Sequence, residues 1–402
     1  MNSFGTPTNQ RILVLDVLRG IALFGILLAN MASFKTPLFQ QQSLPSEWTS
    51  LPDGPLNQWA AFGLEFFVVG NFYPLFSLLF GIGFYLFYER SRAKGRDARR
   101  LYKRRLTFLL IIGGLHLFFI WSGDILHTYA ITGFLLLFFI NKKTSTILAW
   151  SISLIIISMV VLGALVTWSS LLISTLTAGD MMETAEQSVH TAVSIYSSGT
   201  YIDILSFRLE NEVPAVLSNL FINIPNILGL FLLGVYMAKK GLFHHTTHYK
   251  HVWKRILIMS GLSGGTLSLF YASLQSGILT MPSWLSYGLA SGLNISAGPL
   301  WMLFYVAFIV LISHNTFVIR MLQPFAAAGR MSLTNYLLQS IIATFVFYGY
   351  GLGLFASVSV FSGVLIGAGM FLLQIGYSWI WLKYQQQGPF EKWWRRWTYP
   401  VQ

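Results

Sequence analysis

The chain has 402 residues, of which 54% are hydrophobic and only 10% are charged. A soluble globular protein carries about a quarter charged residues, so this composition excludes a water-soluble fold and indicates an integral membrane protein. The net charge of +12 is assigned to cytoplasmic loops and anionic lipid headgroups, and we expect no nucleic-acid partner. Because the chain has no cysteine, disulfides, iron–sulfur clusters and thiol chemistry are excluded.

Apolar runs long enough to cross a bilayer recur along the whole chain. We predict an all-α, polytopic membrane helix bundle that forms a single transmembrane domain over residues 1–402. Because a span needs roughly 20 apolar residues, we count about ten spans, of which the third and fourth are short. The predicted spans are, in chain order, Ile12–Phe34, Trp59–Tyr88, Leu106–Trp121, Ile125–Ile140, Thr146–Ser170, Pro214–Ala238, Ile256–Gly277, Trp284–Ile312, Met331–Tyr350 and Leu354–Leu382.

Basic residues predict the orientation of the bundle. Residues 89–105 form a basic loop, in which Arg90–Arg105 carries nine Lys or Arg residues and a single acid, Asp97. Such a loop marks the cytoplasmic side, and the other even-numbered connections are basic as well, whereas the odd-numbered ones are poor in bases. We therefore predict that both termini lie on the cytoplasmic side of the cell inner membrane.

The longest outer connection, residues 173–213, is predicted to be an acidic extracytoplasmic loop, with six acids and one base, Arg208. Within it, Leu176–Tyr196 fits an amphipathic helix on the outer surface and, equally well, a mobile loop. An inner loop carries four histidines over residues 244–251. Without a carboxylate or cysteine nearby, a solvated loop is favoured there, and we expect no metal.

Ionisable groups inside a span are costly, so each needs a partner or a function. Asp16 and Arg19 lie three residues apart on one face of the first helix and can pair. The pair is either a structural contact or an anion clamp for phosphate or carboxylate. Asn30 follows eleven residues after Arg19, close to three helical turns, and so shares its face. Asn30 is interpreted either as an interhelical contact or as part of a cavity lining.

The third and fourth spans are separated by three residues, which predicts a tight hairpin. His116 is expected about 8 Å inside the outer boundary, and Asp124 is expected to cap the fourth helix. The hairpin brings the two within reach of each other, and a buried histidine oriented by a carboxylate is the arrangement of a general base. The alternative is a plain N-cap beside a satisfied bundle histidine. His127, one turn further on, could take the place of His116 but is interpreted as peripheral.

The ninth span opens with Arg330 and continues with Ser332, Asn335 and Gln339, which recur at helical spacing on one face. Such a face lies against a partner helix or a water-filled cavity, not against lipid. Arg330 is either an anion ligand or a snorkelling interface residue.

Two further features concern packing in the second span. Pro74 predicts a kink near Asn71 and Tyr73. Gly81 and Gly83 predict close contact with another helix.

These motifs, in this order, resemble the YeiB-like bacterial membrane proteins, also called the domain of unknown function 418 family. The resemblance is carried from end to end by the stretches RILVLDVLRGIALFGILLANM, FYPLFSLLFGIGF, RRLTFLLIIGGLHLFFIWSGDILHTYAITG, GRMSLTNYLLQS with the FYGYGLGLF that follows it, and GPFEKWWRRWTY. One departure is Asn71, where the family resemblance implies Lys or Arg in many relatives.

That family is similar, at a distance, to the transmembrane acyltransferases, which move acyl groups from cytoplasmic acyl-CoA to acceptors across the membrane. The shared element is the first helix with Leu18-Arg19-Gly20. In one branch of that superfamily a catalytic His follows the Arg by eleven residues, and Asn30 stands at that place here. The resemblance implies acyl-CoA as a co-substrate and leaves His116 as the candidate base.

Two hypotheses of different classes follow, and whether the chain is an enzyme stays open at this point. In the first, acyl-CoA docks its phosphates near the basic loop, Arg19 and Arg330, and its pantetheine arm follows the polar helix faces. His116, oriented by Asp124, then deprotonates a small-molecule, lipid or glycan acceptor, and Asn30 or Asn335 stabilises the oxyanion.

In the second hypothesis, the chain is a transporter or lipid-handling protein that uses the same polar path without covalent chemistry. Membrane lipids are expected partners in either case, and a homo-oligomer is an open alternative.

Overall fold

The computed structural model describes residues 12–37, 54–176 and 180–399, and no strand occurs within them. The helices of this part of the chain are α1 Leu13–Lys35, α2 Pro55–Phe67, α3 Phe72–Ala93, α4 Ala98–Leu115, α5 Leu126–Leu136, α6 Thr144–Leu176, α7 Asp180–Ser198, α8 Tyr201–Asn211, α9 Val213–Ser218, α10 Leu220–Lys239, α11 Lys250–Gln275, α12 Ser283–Ile312, α13 Thr316–Met321, α14 Gln323–Arg330, α15 Ser332–Phe347, α16 Val360–Tyr384 and α17 Pro389–Thr398.

Seven helical segments among the described residues are long and apolar enough to cross a membrane: α1, α2 with α3, α6, α10, α11, α12 and α16. This confirms the predicted all-α polytopic bundle. The other three predicted spans correspond to α4, α5 and α15. Helices α5 and α15 are short, with 11 and 16 residues, whereas the 18-residue α4 begins with a basic run and is not apolar enough over its length. With 11 residues, α5 is about 16 Å long, which is less than the bilayer core. Most of its side chains are buried among other helices, so α5 belongs to the interior of the bundle.

Helix α1 is the most enclosed of the seven segments, with 61% of its apolar window buried. It packs directly on α14 through two glycines. A Cβ at Gly20 would overlap the carbonyl of Phe325, and a Cβ at Gly329 would overlap the carbonyl of Asp16. The close backbone approach therefore requires glycine on both helices. Gly81 makes a similar contact with α10, as its sequence context predicts.

The second predicted span is broken between α2 and α3. The chain leaves the helix at Val68, and Gly70 adopts a positive φ of 78°. The carbonyls released by the break are bonded: Tyr305 Oη donates to Phe67 O at 2.6 Å, and Asn71 Nδ2 donates to Phe66 O at 3.3 Å. The predicted kink at Pro74 is thus a complete interruption four to six residues earlier, tolerated because neighbouring helices satisfy the backbone.

The acidic segment after α6 is helical in the structure, with α7, α8 and α9 lying in succession. Thr200 starts α8 with a capping box, in which its side chain and that of Asp203 each accept a backbone N–H from the other residue. Of the predicted amphipathic helix, the part over Asp180–Tyr196 is helical, and residues 177–179 lie outside the described part of the chain. We call this side of the bundle the acidic end.

The C-terminal helix α17 is docked at the opposite side. Glu391 accepts backbone N–H groups of Leu333 at 2.7 Å and Thr334 at 3.1 Å, and so caps α15 from another helix. The indole of Trp394 donates to the carbonyl of Arg105 at 2.9 Å. Because these contacts join α17 to the predicted basic loop, we call this side the basic end.

The predicted orientation can be tested by cysteine labelling, since the chain has no cysteine of its own. We expect Lys94→Cys, exposed at the basic end, to react with an impermeant maleimide only after the inner face is opened. Asn211→Cys, exposed at the acidic end, should react in intact cells. The opposite pattern would reverse the orientation, and labelling of both positions from one side would contradict the odd number of spans between them.

Candidate functional site

The candidate site lies in the hairpin between α4 and α5. Helix α4 continues into a π-helical turn, His116–Ile120. Such turns are frequent at functional sites, because the wider turn re-aims a side chain. Gly113 lets α5 approach closely, since a Cβ there would overlap the backbone nitrogen of His127. The hairpin therefore holds His116 and Asp124 against each other.

Asp124 is bound by two histidines. His116 Nδ1 lies 2.8 Å from Asp124 Oδ1, and His127 Nδ1 lies 2.7 Å from Asp124 Oδ2. Asp124 Oδ2 also accepts the backbone N–H of His127 at 2.9 Å, which is the predicted helix cap. We refer to His116, Asp124 and His127 as the histidine centre. A buried carboxylate needs such donors, because its desolvation is otherwise uncompensated.

The interpretation of His127 as peripheral is wrong. His127 is 3% exposed, and its second ring nitrogen, Nε2, lies 3.1 Å from the Thr128 hydroxyl. Both ring nitrogens of His127 thus have a partner, which suits a structural role. The sequence placed His127 three residues after Asp124, but did not show that the capping carboxylate also contacts the imidazole of His127.

His116 differs from His127 at its second nitrogen. The residue is 0% exposed, and within the described structure neither of its ring nitrogens has an aligned hydrogen bond: Nδ1 has the close ion-pair contact with Asp124 Oδ1, and Nε2 has no partner. The imidazole is surrounded by aromatic rings, with the ring centroid of Tyr336 at 5.3 Å and that of Trp121 at 6.3 Å. A buried imidazole whose Nδ1 faces a carboxylate and whose Nε2 is unused has the arrangement of a general base.

Two charged side chains from the acidic end cover this centre. Arg208 donates to Phe118 O at 2.8 Å and to Ile120 O, both in the π-helical turn. Glu212 accepts the hydroxyls of Tyr196 at 2.8 Å and of Ser122. Arg208 is 1% exposed and Glu212 is 4% exposed. We call these two residues the outer cover.

The outer cover was not predicted from the sequence, because Arg208 and Glu212 were treated only as charges of the acidic loop. The available signal was that Arg208 is the single base among six acids. The guanidinium of Arg208 has several N–H donors in one plane. These donors match the carbonyls that the end of a helix leaves without intrahelical partners.

At the basic end, Arg19 pairs with Asp16, with Arg19 Nη1 at 2.7 Å from Asp16 Oδ1. Arg105 lies close enough to Arg19 and to Arg395 for the charge of each to interact with its own. The guanidinium of Arg105 stacks on Trp394, 4.1 Å from the ring centroid. We call Arg19, Arg105 and Arg395 the arginine cluster; its concentrated positive charge favours an anion.

The predicted polar face of α15 connects helices. Asn335 Nδ2 donates to Ser378 Oγ at 2.9 Å, and Gln339 Nε2 donates to Gln374 Oε1 at 3.0 Å, both on α16. Asn335 is 0% exposed and Gln339 is 2% exposed. Their contacts are those of interhelical packing, not of an open path.

The remaining predicted residues lie apart from the histidine centre. Asn30 is partly buried on α1, and Ser332 is partly buried at the start of α15. Arg330 donates to Gln386 O at 3.3 Å, in the connection between α16 and α17.

Comparison with known proteins gives relatives over the whole length. A family model described as "Protein of unknown function (DUF418)" matches residues 237–400. The uncharacterized protein YxaH of Bacillus subtilis is 35% identical over 405 residues, covering 98% of this chain and 96% of the relative. The uncharacterized protein YeiB of Escherichia coli is 27% identical over 401 residues, covering 97% and 96%. The residues that match the family model include Arg330 and α15, whereas the histidine centre precedes these residues in the chain.

The structural role of the outer cover is testable. We expect Arg208→Ala to reduce the free energy of unfolding by about 3 kcal/mol, because two buried carbonyls lose a charged donor. Arg208→Lys should restore only part of this, since an ammonium lacks the two-pronged geometry. The measurement is thermal unfolding in detergent, with exposed Arg255→Ala as the control. Equal unfolding temperatures for Arg208→Ala and the control would contradict the assignment.

Proposed function

The chain belongs to the YeiB-like family of membrane proteins of unknown function (DUF418), and from that premise we propose that it is a membrane-embedded acyltransferase. It would move an acyl group from cytoplasmic acyl-CoA to an acceptor at the outer face. The observation that supports this most strongly is His116, whose Nδ1 faces Asp124 at 2.8 Å while Nε2 is unused.

The proposed step uses His116 Nε2 as the base. Nε2 takes the proton of an acceptor hydroxyl or amine, and the acceptor atom attacks the thioester carbonyl. The tetrahedral intermediate then collapses, the carbon–sulfur bond breaks, and the imidazolium returns the proton to the leaving CoA thiolate. Asp124 holds the proton on Nδ1 and stabilises the imidazolium between the two transfers, as a carboxylate does in a catalytic triad.

The arginine cluster supports a phosphate-bearing donor. A CoA molecule carries several phosphates, and guanidinium groups bind phosphate through paired, charge-assisted hydrogen bonds. Stacking on Trp394 fixes the position of the Arg105 guanidinium, so that its charge is already in place when a ligand binds. The predicted phosphate ligands were the basic loop, Arg19 and Arg330; the proposal keeps Arg19 and Arg105 of the basic loop, adds Arg395 and leaves Arg330 out.

Helix α1 links the two regions. From Arg19 to Phe34 it rises about 22 Å, and the Phe34 ring lies 4.1 Å from Trp121 beside the histidine centre. A donor fixed at the arginine cluster would therefore have to extend along α1 to bring its thioester to His116. Because His116 is fully buried, the reaction also requires the outer cover or a neighbouring helix to move.

The broken second span favours a second candidate, a transporter. Interrupted helices and intramembrane carboxylates are common at transport sites. Glu65, just before the break, accepts the Tyr271 hydroxyl at 2.5 Å. On this alternative, the purified protein would take up a solute and form no acylated product.

The test is acyl transfer from radiolabelled acyl-CoA in proteoliposomes. We expect His116→Ala and His116→Gln to lower turnover by about 10²-fold or more, the usual contribution of a general base, while acyl-CoA binding is retained. Asp124→Asn should lower turnover too, because the amide cannot fix the same imidazole tautomer. Thermal unfolding identifies any variant that fails to fold.

A matched control is Arg19→Gln, which should weaken acyl-CoA binding and leave turnover of saturated enzyme nearly unchanged. Unaltered turnover in folded His116→Gln would remove His116 from the mechanism. Solute uptake without acyl product would favour the transporter instead.

A further inference from the structure

A cavity of 310 Å³ opens at the basic end. It lies where the beginning of α1, helix α14 and the end of α16 meet. Its lining consists of Leu13, Gln323, Ala326, Ala327, Arg330, Trp379, Leu382 and Lys383. None of the residues of the histidine centre or the arginine cluster contributes to it.

The lining combines two cations with an apolar floor. Arg330 and Lys383 supply positive charge, Gln323 supplies an amide, and the remaining lining side chains are apolar or aromatic. No acid is among the lining residues that the structure describes. Such a lining fits a molecule with an anionic head and an apolar body.

The cavity faces the surroundings of the bundle rather than its interior. Leu13 is 38% exposed and Trp379 is 40% exposed, so both reach the surface of the helices. Trp379 lies on α16 just before Lys383, and a tryptophan followed by a cation is typical of the level of lipid headgroups. Arg330 also bonds to Gln386 O at 3.3 Å, which orients its guanidinium at the mouth.

We propose that this cavity binds the phosphate headgroup of an anionic membrane lipid, whose acyl chains run outside along α1 and α16. The volume accommodates a headgroup and not a whole phospholipid, which agrees with an opening toward the bilayer. The ligand chemistry is a phosphate ester, which a lipid or the soluble CoA donor can each supply. The apolar floor and the exposed Leu13 and Trp379 favour the lipid. The proposal does not depend on acyl transfer.

The test compares lipid binding by native mass spectrometry of protein released from nanodiscs. Wild-type protein should retain phosphatidylglycerol in preference to phosphatidylcholine. The double variant Arg330→Gln/Lys383→Gln should bind phosphatidylglycerol about tenfold more weakly or worse, since two charge-assisted contacts to one phosphate are lost. The matched control, Arg320→Gln/Lys392→Gln, removes two exposed cations outside the cavity and should bind like wild type.

A second variant keeps both charges and fills the space. Ala327→Trp should abolish retention of phosphatidylglycerol if the cavity is the site, and thermal unfolding shows whether the variant is folded. Equal weakening in the control pair, absence of a preference for the anionic lipid, or full retention in folded Ala327→Trp would each overturn the proposal. Binding of CoA or inorganic phosphate that is lost in Arg330→Gln/Lys383→Gln, without lipid retention in wild type, would assign the cavity to a soluble phosphate instead.

Discussion

The carboxylate of Asp124 is enclosed in the α4–α5 hairpin with one histidine on each oxygen, at 2.8 Å and 2.7 Å. Removing one partner from a buried charge typically costs about 3–5 kcal/mol, because the remaining charge is left without compensation. The hairpin must therefore bring two side chains from two different helices to one acid. The π-helical turn and the close approach at Gly113 are the local features that make this geometry reachable.

The enclosure of this acid depends on parts of the chain that are distant in sequence. Arg208 closes the π-helical turn by bonding its carbonyls, Tyr336 contributes a ring from α15, and Phe34 reaches Trp121 from α1. Three remote segments thus pack around the hairpin that holds the buried imidazole. A base whose unused nitrogen is kept dry is more effective when substrate arrives, but the same enclosure requires a movement to admit that substrate.

The helical class, the hairpin and the meeting of His116 with Asp124 could be predicted, because each follows from local spacing and from the high cost of a buried charge. Other features depended on the tertiary arrangement. Asn335 and Gln339 repeat at helical spacing, but only the position of α16 shows that they bond to it. From the sequence, Arg208 is a basic residue in an acidic loop. Only the structure shows that it donates to carbonyls of the π-helical turn. The sequence indicated that the fourth span is short, but not that α5 has only 11 residues or that α15 ends at Phe347, because helices buried by other helices need not match the bilayer thickness.

The central claim is that His116 carries its proton on Nδ1, toward Asp124, and keeps Nε2 free as a base. Nitrogen NMR of protein labelled with ¹⁵N-histidine measures this directly, and subtraction of the His116→Gln spectrum assigns the His116 signals among the eight histidines. We predict a protonated Nδ1 and an unprotonated Nε2 in the resting protein. A proton on Nε2, in either the other tautomer or the doubly protonated ring, would contradict the assignment of His116 as the base.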